Sequence, residues 1–311
     1  MALREYLTTE VGEDWVDGLI SRREAIRRLI LLGMTVPTAT ALLAACAAEV
    51  AKSPAASIPA SSSTPAASAS SAVASSSPSG SNTSPVAGGS ITFAGPRGQL
   101  QAFFAPATNS AGAMLVIHEN RGLTDHIRSV ATRLAGDGYS ALAIDLLSEE
   151  GGTAALGGES NVPPALAAAS DDRLVADMRA GLSELERRVP GAKLGIIGFC
   201  FGGGMAWTLL DAGEQRLAAA IPFYGPTPPD PDFSGGRAAV LGVYAADDSR
   251  VNASRETAAA ALAAAGLTHE IKTYPGVDHA FFNDTGARYD ATQAAAAYAD
   301  VLAWLQRYLA A

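Results

Sequence analysis

The heptapeptide Gly198-Phe199-Cys200-Phe201-Gly202-Gly203-Gly204 follows directly on the apolar run 194–197, and no other stretch limits the fold as narrowly. A short apolar run reads as a buried strand, and glycines two before and two after a central residue let a strand turn sharply into a helix without a clash. The central residue is then held in a strained backbone conformation with its side chain pointing out of the turn. Behind it, the helix N-terminus offers backbone N–H groups and partial positive charge, which favour a thiolate and later an oxyanion. A thiol at position 200 is placed to attack.

Glycine-rich strand-to-helix turns also cradle phosphates, but a dinucleotide site needs an acidic residue at the end of the next strand. The next strand candidate, 218–223, runs instead into Tyr224-Gly225-Pro226. A buried small hydrophobe is the ordinary fate of a lone cysteine, and the motif by itself does not exclude it. Two downstream segments do more. The apolar run 238–244 is followed by Asp247-Asp248-Ser249-Arg250-Val251, and the strand-like 270–274 by Gly276-Val277-Asp278-His279-Ala280-Phe281. Cysteine, acid and histidine thus come in that chain order, each in a loop just past a strand, where an open parallel sheet puts its ligands. Cys200 would lose a proton and attack a carbonyl, His279 would take the proton and return it, and either Asp247 or Asp248 would orient the imidazole.

The chain has four histidines. His279, between a glycine turn and an aromatic pair, is the site candidate, whereas His126 and His269 are expected at element ends on the surface. His118 adjoins Glu119 without a second ligand at useful spacing, so no metal site is expected.

Together these residues resemble the dienelactone hydrolase family, the carboxymethylenebutenolidase-like branch of the α/β-hydrolases, whose nucleophile segment reads G-x-C-x-G-G. The resemblance runs from about residue 90 to the C-terminus. The family acid lies in a D-x-x-V pattern, which Asp248-Ser249-Arg250-Val251 fits and Asp247 does not. The family also carries a glutamate that contacts the resting thiol, and Val116-Ile117-His118-Glu119-Asn120 looks like that segment. The resemblance implies Glu119 in that role, where a carboxylate would disfavour a thiolate prone to oxidation. It implies a carboxylic ester or lactone substrate, an acyl-cysteine intermediate, an oxyanion held by the N–H groups of Phe201 and Asn120, and neither cofactor nor metal. One position departs: members that act on the dienelactone carry an arginine four residues after the histidine, and here that residue is Asn283. Arg121 and Arg288 are the cations that could compensate.

The N-terminal part has a different character. Ser21-Arg22-Arg23-Glu24-Ala25-Ile26-Arg27-Arg28 precedes an uncharged apolar stretch, 29–45. A basic patch before a modest apolar stretch is an export signal, and the paired arginines resemble the twin-arginine type. Leu43-Ala44-Ala45-Cys46 resembles a bacterial lipobox, in which Cys46 is acylated and becomes the mature N-terminus. Residues 47–89 are almost wholly Ser, Ala, Pro, Gly and Thr, with too little apolar bulk to offset the entropy of ordering, and read as a disordered tether. The expected organisation is therefore an export signal with lipobox (1–46), a tether (47–89) and a catalytic domain (90–311). The product would be exported, extracytoplasmic and anchored to the membrane by lipid.

Net charge is −9, and residues 1–46 hold five basic against six acidic side chains, so the excess belongs to the remainder. That disfavours nucleic acid as a partner. Cys46 and Cys200 are the two cysteines, each with its own role, and no structural disulfide is implied. In the catalytic part, strands are expected at 100–104, 113–117, 140–144, 193–197, 218–223, 238–244 and 270–274. Helices near 125–137, 171–188, 201–212, 253–265 and 287–309 alternate with them. That order predicts an α/β domain, a mostly parallel central sheet covered by helices on both faces. The Gly/Ala-rich stretch 148–170 is expected as a loop that shapes the substrate pocket. A catalytically silent lipid-anchored binding protein on the same fold is the alternative, disfavoured because such a protein has no reason to keep the full constellation.

Overall fold

The computed structural model describes residues 3–50 and 88–310. Three helices, α1 (Leu3–Val16), α2 (Arg22–Leu31) and α3 (Val36–Val50), come first. Eight strands follow: β1 (Gly89–Gly95), β2 (Gly98–Ala105), β3 (Gly112–Ile117), β4 (Tyr139–Asp145), β5 (Leu194–Phe199), β6 (Leu217–Phe223), β7 (Ala239–Ala245) and β8 (His269–Tyr274). Between and after them lie α4 (Asp125–Gly136), α5 (Val162–Ala168), α6 (Asp171–Arg188), α7 (Phe201–Asp211), α8 (Ser249–Asn252), α9 (Arg255–Ala264) and α10 (Ala291–Tyr308).

The strands form one sheet in the order β1-β2-β4-β3-β5-β6-β7-β8. The β1–β2 and β2–β4 pairs are antiparallel; every other pair is parallel. Every residue of β3, β4, β5 and β7 is buried. Because alternate side chains point to opposite faces of a strand, such burial requires cover on both faces, which the helices supply. The edges differ. In β8, His269-Glu270-Ile271-Lys272-Thr273 are half-buried or exposed and largely polar, as an edge open to water requires. Chain order reverses between β3 and β5, since β4 lies on the far side of β3. Loops leaving the C-terminal ends of β3 and β5 therefore diverge and leave a crevice between them. His118 to Asn120 follow β3 there, and Cys200 follows β5.

The seven expected strands lie within two residues of the observed ones, and α6 spans its expected range. β1 was not anticipated: it pairs with β2 in an antiparallel hairpin, but only Phe93 of its seven residues is buried, so it shows no continuous apolar run. Residues 148–170 are not an open loop; they hold three short 3-10 turns and α5, which is seeded by Pro163 and Pro164 in its first turn. His126 is not on the surface. It is 3 % exposed, edge-on to Phe199 and Phe282, with Nδ1 2.7 Å from Asp284 Oδ1.

The N-terminal helices join the same core. Tyr6, Leu7 and Val11 of α1, Ala25 and Leu29 of α2, and Ala39 and Leu43 of α3 are all buried in it. A turn at residues 32–35 splits the apolar stretch 29–45 into parts of two helices, and among the described residues no helix is long and apolar enough to cross a membrane. Cys46 lies on α3 against Gly12 of α1, where an added Cβ would come within 2.8 Å of its sulfur. Residues 47–50 continue α3; most of the expected tether, 51–87, lies outside the described residues.

Candidate active site

Cys200 caps α7 with φ 57° and ψ −118°, a left-handed region that side chains other than glycine rarely enter. The surroundings enforce it. An ideal Cβ on Gly198 would lie 2.0 Å from the carbonyl oxygen of Gly202, and one on Gly202 would lie 2.4 Å from that of Ile117. Only hydrogen fits at either place. The Cys200 N–H donates to the Phe223 carbonyl at 3.1 Å, so the turn is also held from β6. Phe201 is the first residue of α7, where an N–H has no acceptor within the helix. It therefore meets the local requirement for an oxyanion donor.

Asp248 and His279 are brought together. Asp248 caps α8: its Oδ1 accepts from the Val251 N–H at 3.0 Å, while Oδ2 lies 2.6 Å from His279 Nδ1. Both residues are buried, whereas Asp247 is exposed and does not take part in this pair. Burial works against the charge of Asp248, but His279, Arg250 and the Val251 N–H outweigh it and hold the carboxyl below its usual range. Burial likewise favours a neutral imidazole, yet Asp248 lifts His279 well above its usual value. His279 Nε2 has no partner in hydrogen-bonding geometry. Next to the ring, Ala280 has φ 62°, so backbone strain flanks both the thiol and the imidazole.

The hydrogen bonds of the thiol go elsewhere. Cys200 Sγ donates to Glu10 Oε1 at 3.3 Å, and the Tyr6 hydroxyl, 3.2 Å away, supplies the complementary hydrogen bond to sulfur. Glu10 Oε1 also accepts from the Asn120 side-chain amide at 2.7 Å. Burial, and next the Glu10 carboxylate, push the thiol above its usual range. Glu119, expected on the sulfur, is not its hydrogen-bond partner. It is buried and accepts from Asn283 Nδ2 at 2.6 Å, and burial raises its carboxyl. Asn283, at the position of the family arginine, is thus committed to Glu119. His118 is structural: Nδ1 donates to the Glu119 carbonyl at 2.7 Å, Nε2 accepts from the Leu146 N–H at 3.2 Å, and burial keeps the ring neutral.

Sequence reasoning missed Tyr6 and Glu10, and with them Glu13 and Asp14 of α1 and Asp17 just beyond it. Arg250 Nε donates to Glu13 Oε2 at 2.8 Å and its guanidinium lies 4.4 Å from the Tyr6 ring centre. Arg288 Nη1 donates to Asp14 at 3.2 Å, and the same guanidinium binds Asp17. One signal was there to find. Positions 6, 10, 13, 14 and 17 recur at helical spacing and make a single acidic stripe with one aromatic residue.

Ligand atoms of Glu10, Cys200 and His279 lie within 4.8 Å of one another and could meet on a metal ion. The hydrogen bonds already made by the thiol and by Asn120 account for that cluster without one. Space beside Cys200 and His279 is small, about 40 Å³, bounded by Glu10, Asp14, Glu119 and Arg288 among others. A larger cavity of about 250 Å³ lies between Phe201, Met205, Thr208, Pro226 and Pro228, and Tyr6 forms part of its wall.

Comparison with known proteins identifies the family. The model of the dienelactone hydrolase family matches residues 100–309. A provisionally assigned carboxymethylenebutenolidase of Saccharolobus solfataricus is 30 % identical over 246 residues, covering 67 % of this chain and 94 % of its own. A protein of the same provisional name from Salmonella typhi is 32 % identical over 228 residues, 67 % of this chain and 83 % of its own. Among solved structures, a provisionally assigned dienelactone hydrolase from Klebsiella pneumoniae superposes with a TM-score of 0.63 at 29 % identity, covering 71 % of this chain and 99 % of its own.

The turn is open to a direct test. Gly202→Ala should destabilise the protein by about 3 kcal/mol or more, because its Cβ meets backbone that cannot retreat. Gly204→Ala, whose Cβ would meet nothing closer than 3.4 Å, should leave stability unchanged or slightly higher. Urea midpoints of the two variants check the contrast; equal midpoints would mean that the close approach at Gly202 is not what shapes the turn.

Proposed function

The chain belongs to the dienelactone hydrolase family and is a hydrolase of esters or lactones, and on that premise we propose that it works through a Cys200–His279–Asp248 triad and an acyl-cysteine intermediate. The 2.6 Å contact between Asp248 and the Nδ1 of His279, on the crevice that also holds Cys200, carries this reading. It fixes the tautomer, so that Nε2 is the nitrogen left to exchange a proton with the thiol.

In the proposed cycle Cys200 gives its proton to Nε2 as sulfur bonds to the carbonyl carbon. The carbonyl electron pair moves to oxygen, where the N–H groups of Phe201 and Asn120 hold it. Collapse of that intermediate breaks the carbon–oxygen bond, and His279 returns the proton to the leaving alkoxide. Water, deprotonated by the same nitrogen, then attacks the thioester and the thiol is regenerated. In a lactone, alcohol and acid remain one molecule. The comparisons do not favour a silent binding protein.

The leader supports a second part of the proposal. Arg22 and Arg23 are exposed at the start of α2, and Cys46 follows small residues, as export and acylation require. The enzyme would then work outside the cytoplasm, held at a membrane by lipid on Cys46.

Cys200→Ala should abolish ester hydrolysis with the fold intact, since no other thiol or turn hydroxyl can replace the nucleophile, and Cys200→Ser should retain weak activity. Turnover of an activated ester by the alanine variant at the parental rate would reject the mechanism. Asp248→Asn should lower kcat by about three to four orders of magnitude by analogy with orienting acids of other triads, and Asp247→Asn by less than about tenfold. Steady-state kinetics of the two variants on one ester check the order. Exchange of Arg22 and Arg23 for lysine should hold the precursor in the cytoplasm of a bacterial host. Intact-mass analysis of membrane extracts checks the rest: a species that starts at Met1 without lipid, in a host competent for both steps, would remove the export reading.

A further inference from the structure

We propose that residues 3–50 are an internal ligand of the substrate cleft: α1 holds the thiol of Cys200 with Glu10 and Tyr6 and keeps the enzyme shut until this segment is separated from the catalytic domain. The proposal rests on Cys200 as nucleophile.

Three observations converge on it. Glu10 takes a partner the reaction needs: it accepts the thiol hydrogen bond that should go to His279, and the side-chain amide of Asn120 holds it there. Its Oε1 stands 3.3 Å from the thiol and 3.9 Å from His279 Nε2, in contact with nucleophile and base at once. A substrate carbonyl has no room in that arrangement. The volume left beside Cys200, about 40 Å³, is far below the roughly 300 Å³ at which small-molecule sites begin.

Tyr6 makes the second closure. It is 1 % exposed, bonds the sulfur with its hydroxyl and forms part of the wall of the 250 Å³ cavity. Removing that ring would join the cavity to the space over Cys200. The joined cleft, lined by Phe201, Met205 and Pro226, would accept the apolar part of an ester.

The third observation is the lock. Glu13 on Arg250, and Asp14 and Asp17 on Arg288, tie the acidic stripe of α1 to two cations of the catalytic domain. Arg250 is nearly buried there, with a side chain 4 % exposed, so part of this lock is shielded from solvent and salt. All five stripe residues precede Cys46, and any processing at Cys46 removes the plug together with the leader. The catalytic part is a folding unit by itself: a relative and a solved structure that match it are covered over 94 % and 99 % of their own length.

Iodoacetamide alkylation of Cys200, followed by peptide mass so that Cys46 is counted apart, tests the plug independently of any substrate. In the full chain it should be slow. Asp14→Lys with Asp17→Lys should raise it about tenfold or more, because reactivity scales with the open fraction. Combining these changes with Arg288→Asp should restore protection. A second preparation, full chain carrying a specific protease site within 51–87, is cut, freed of the N-terminal fragment and compared. It should alkylate at least as fast as the charge-reversed chain, hydrolyse p-nitrophenyl acetate faster than the uncut protein, and be slowed when the fragment is added back. Equal alkylation rates for uncut and fragment-free protein would overturn the proposal, as would faster alkylation with lower turnover, which would make α1 part of the working site. Faster alkylation with no hydrolysis before or after cutting would instead count against Cys200 as nucleophile while leaving the plug standing.

Discussion

The thiol and the first N–H of α7 take their positions from the passage of the chain out of β5 into α7. Backbone packs against backbone there at distances that admit no side chain, with Gly198 against Gly202 and Gly202 against the end of β3. The left-handed geometry of Cys200 is the outcome, at a cost of about 1 to 3 kcal/mol that the buried sheet must absorb. In return one sulfur is presented at a helix N-terminus, one residue from a free N–H and across a narrow gap from the loop after β3. If the turn relaxed, the thiol and the proposed oxyanion donors would no longer meet.

Much of this was legible in one dimension. Buried parallel strands show as unbroken apolar runs, so β3 to β7 could be read nearly to their ends, and the order of Cys200, Asp248 and His279 followed from the loops behind them. What escaped shares a different cause. β1 is a half-exposed edge partner whose identity depends on β2. Residues 148–170 are built from glycine, alanine and proline, whose short turns carry no periodicity. His126 follows the acidic start of α4 and resembles a surface residue until Phe199 and Phe282, more than seventy and a hundred and fifty residues on, close around it.

The glutamate on the thiol is the most instructive difference. Resemblance assigned it to Glu119, and physics does ask for a carboxylate there, since a buried thiol beside an anion stays protonated. The sulfur finds that carboxylate 190 residues away in sequence, in Glu10, while Glu119 is turned toward Asn283. The amide of Asn283 is the group that Glu119 meets instead. An arginine there would pair with Glu119 more strongly and add a positive charge to a crevice already lined by Arg121 and Arg288. Contacts between an N-terminal helix and a distant turn leave no trace in local pattern, and a leader read as an address is not searched for side chains that reach a nucleophile.

Asp248 does two tasks with its two oxygens, fastening the first turn of α8 with one and the imidazole of His279 with the other. α8 is four residues long and includes Arg250, the anchor of Glu13. The helix therefore carries, on one carboxylate and one guanidinium, the contact to the base and the contact to α1. The hold on α1 and the orientation of the imidazole are thus fastened to one helical turn, two residues apart in the chain.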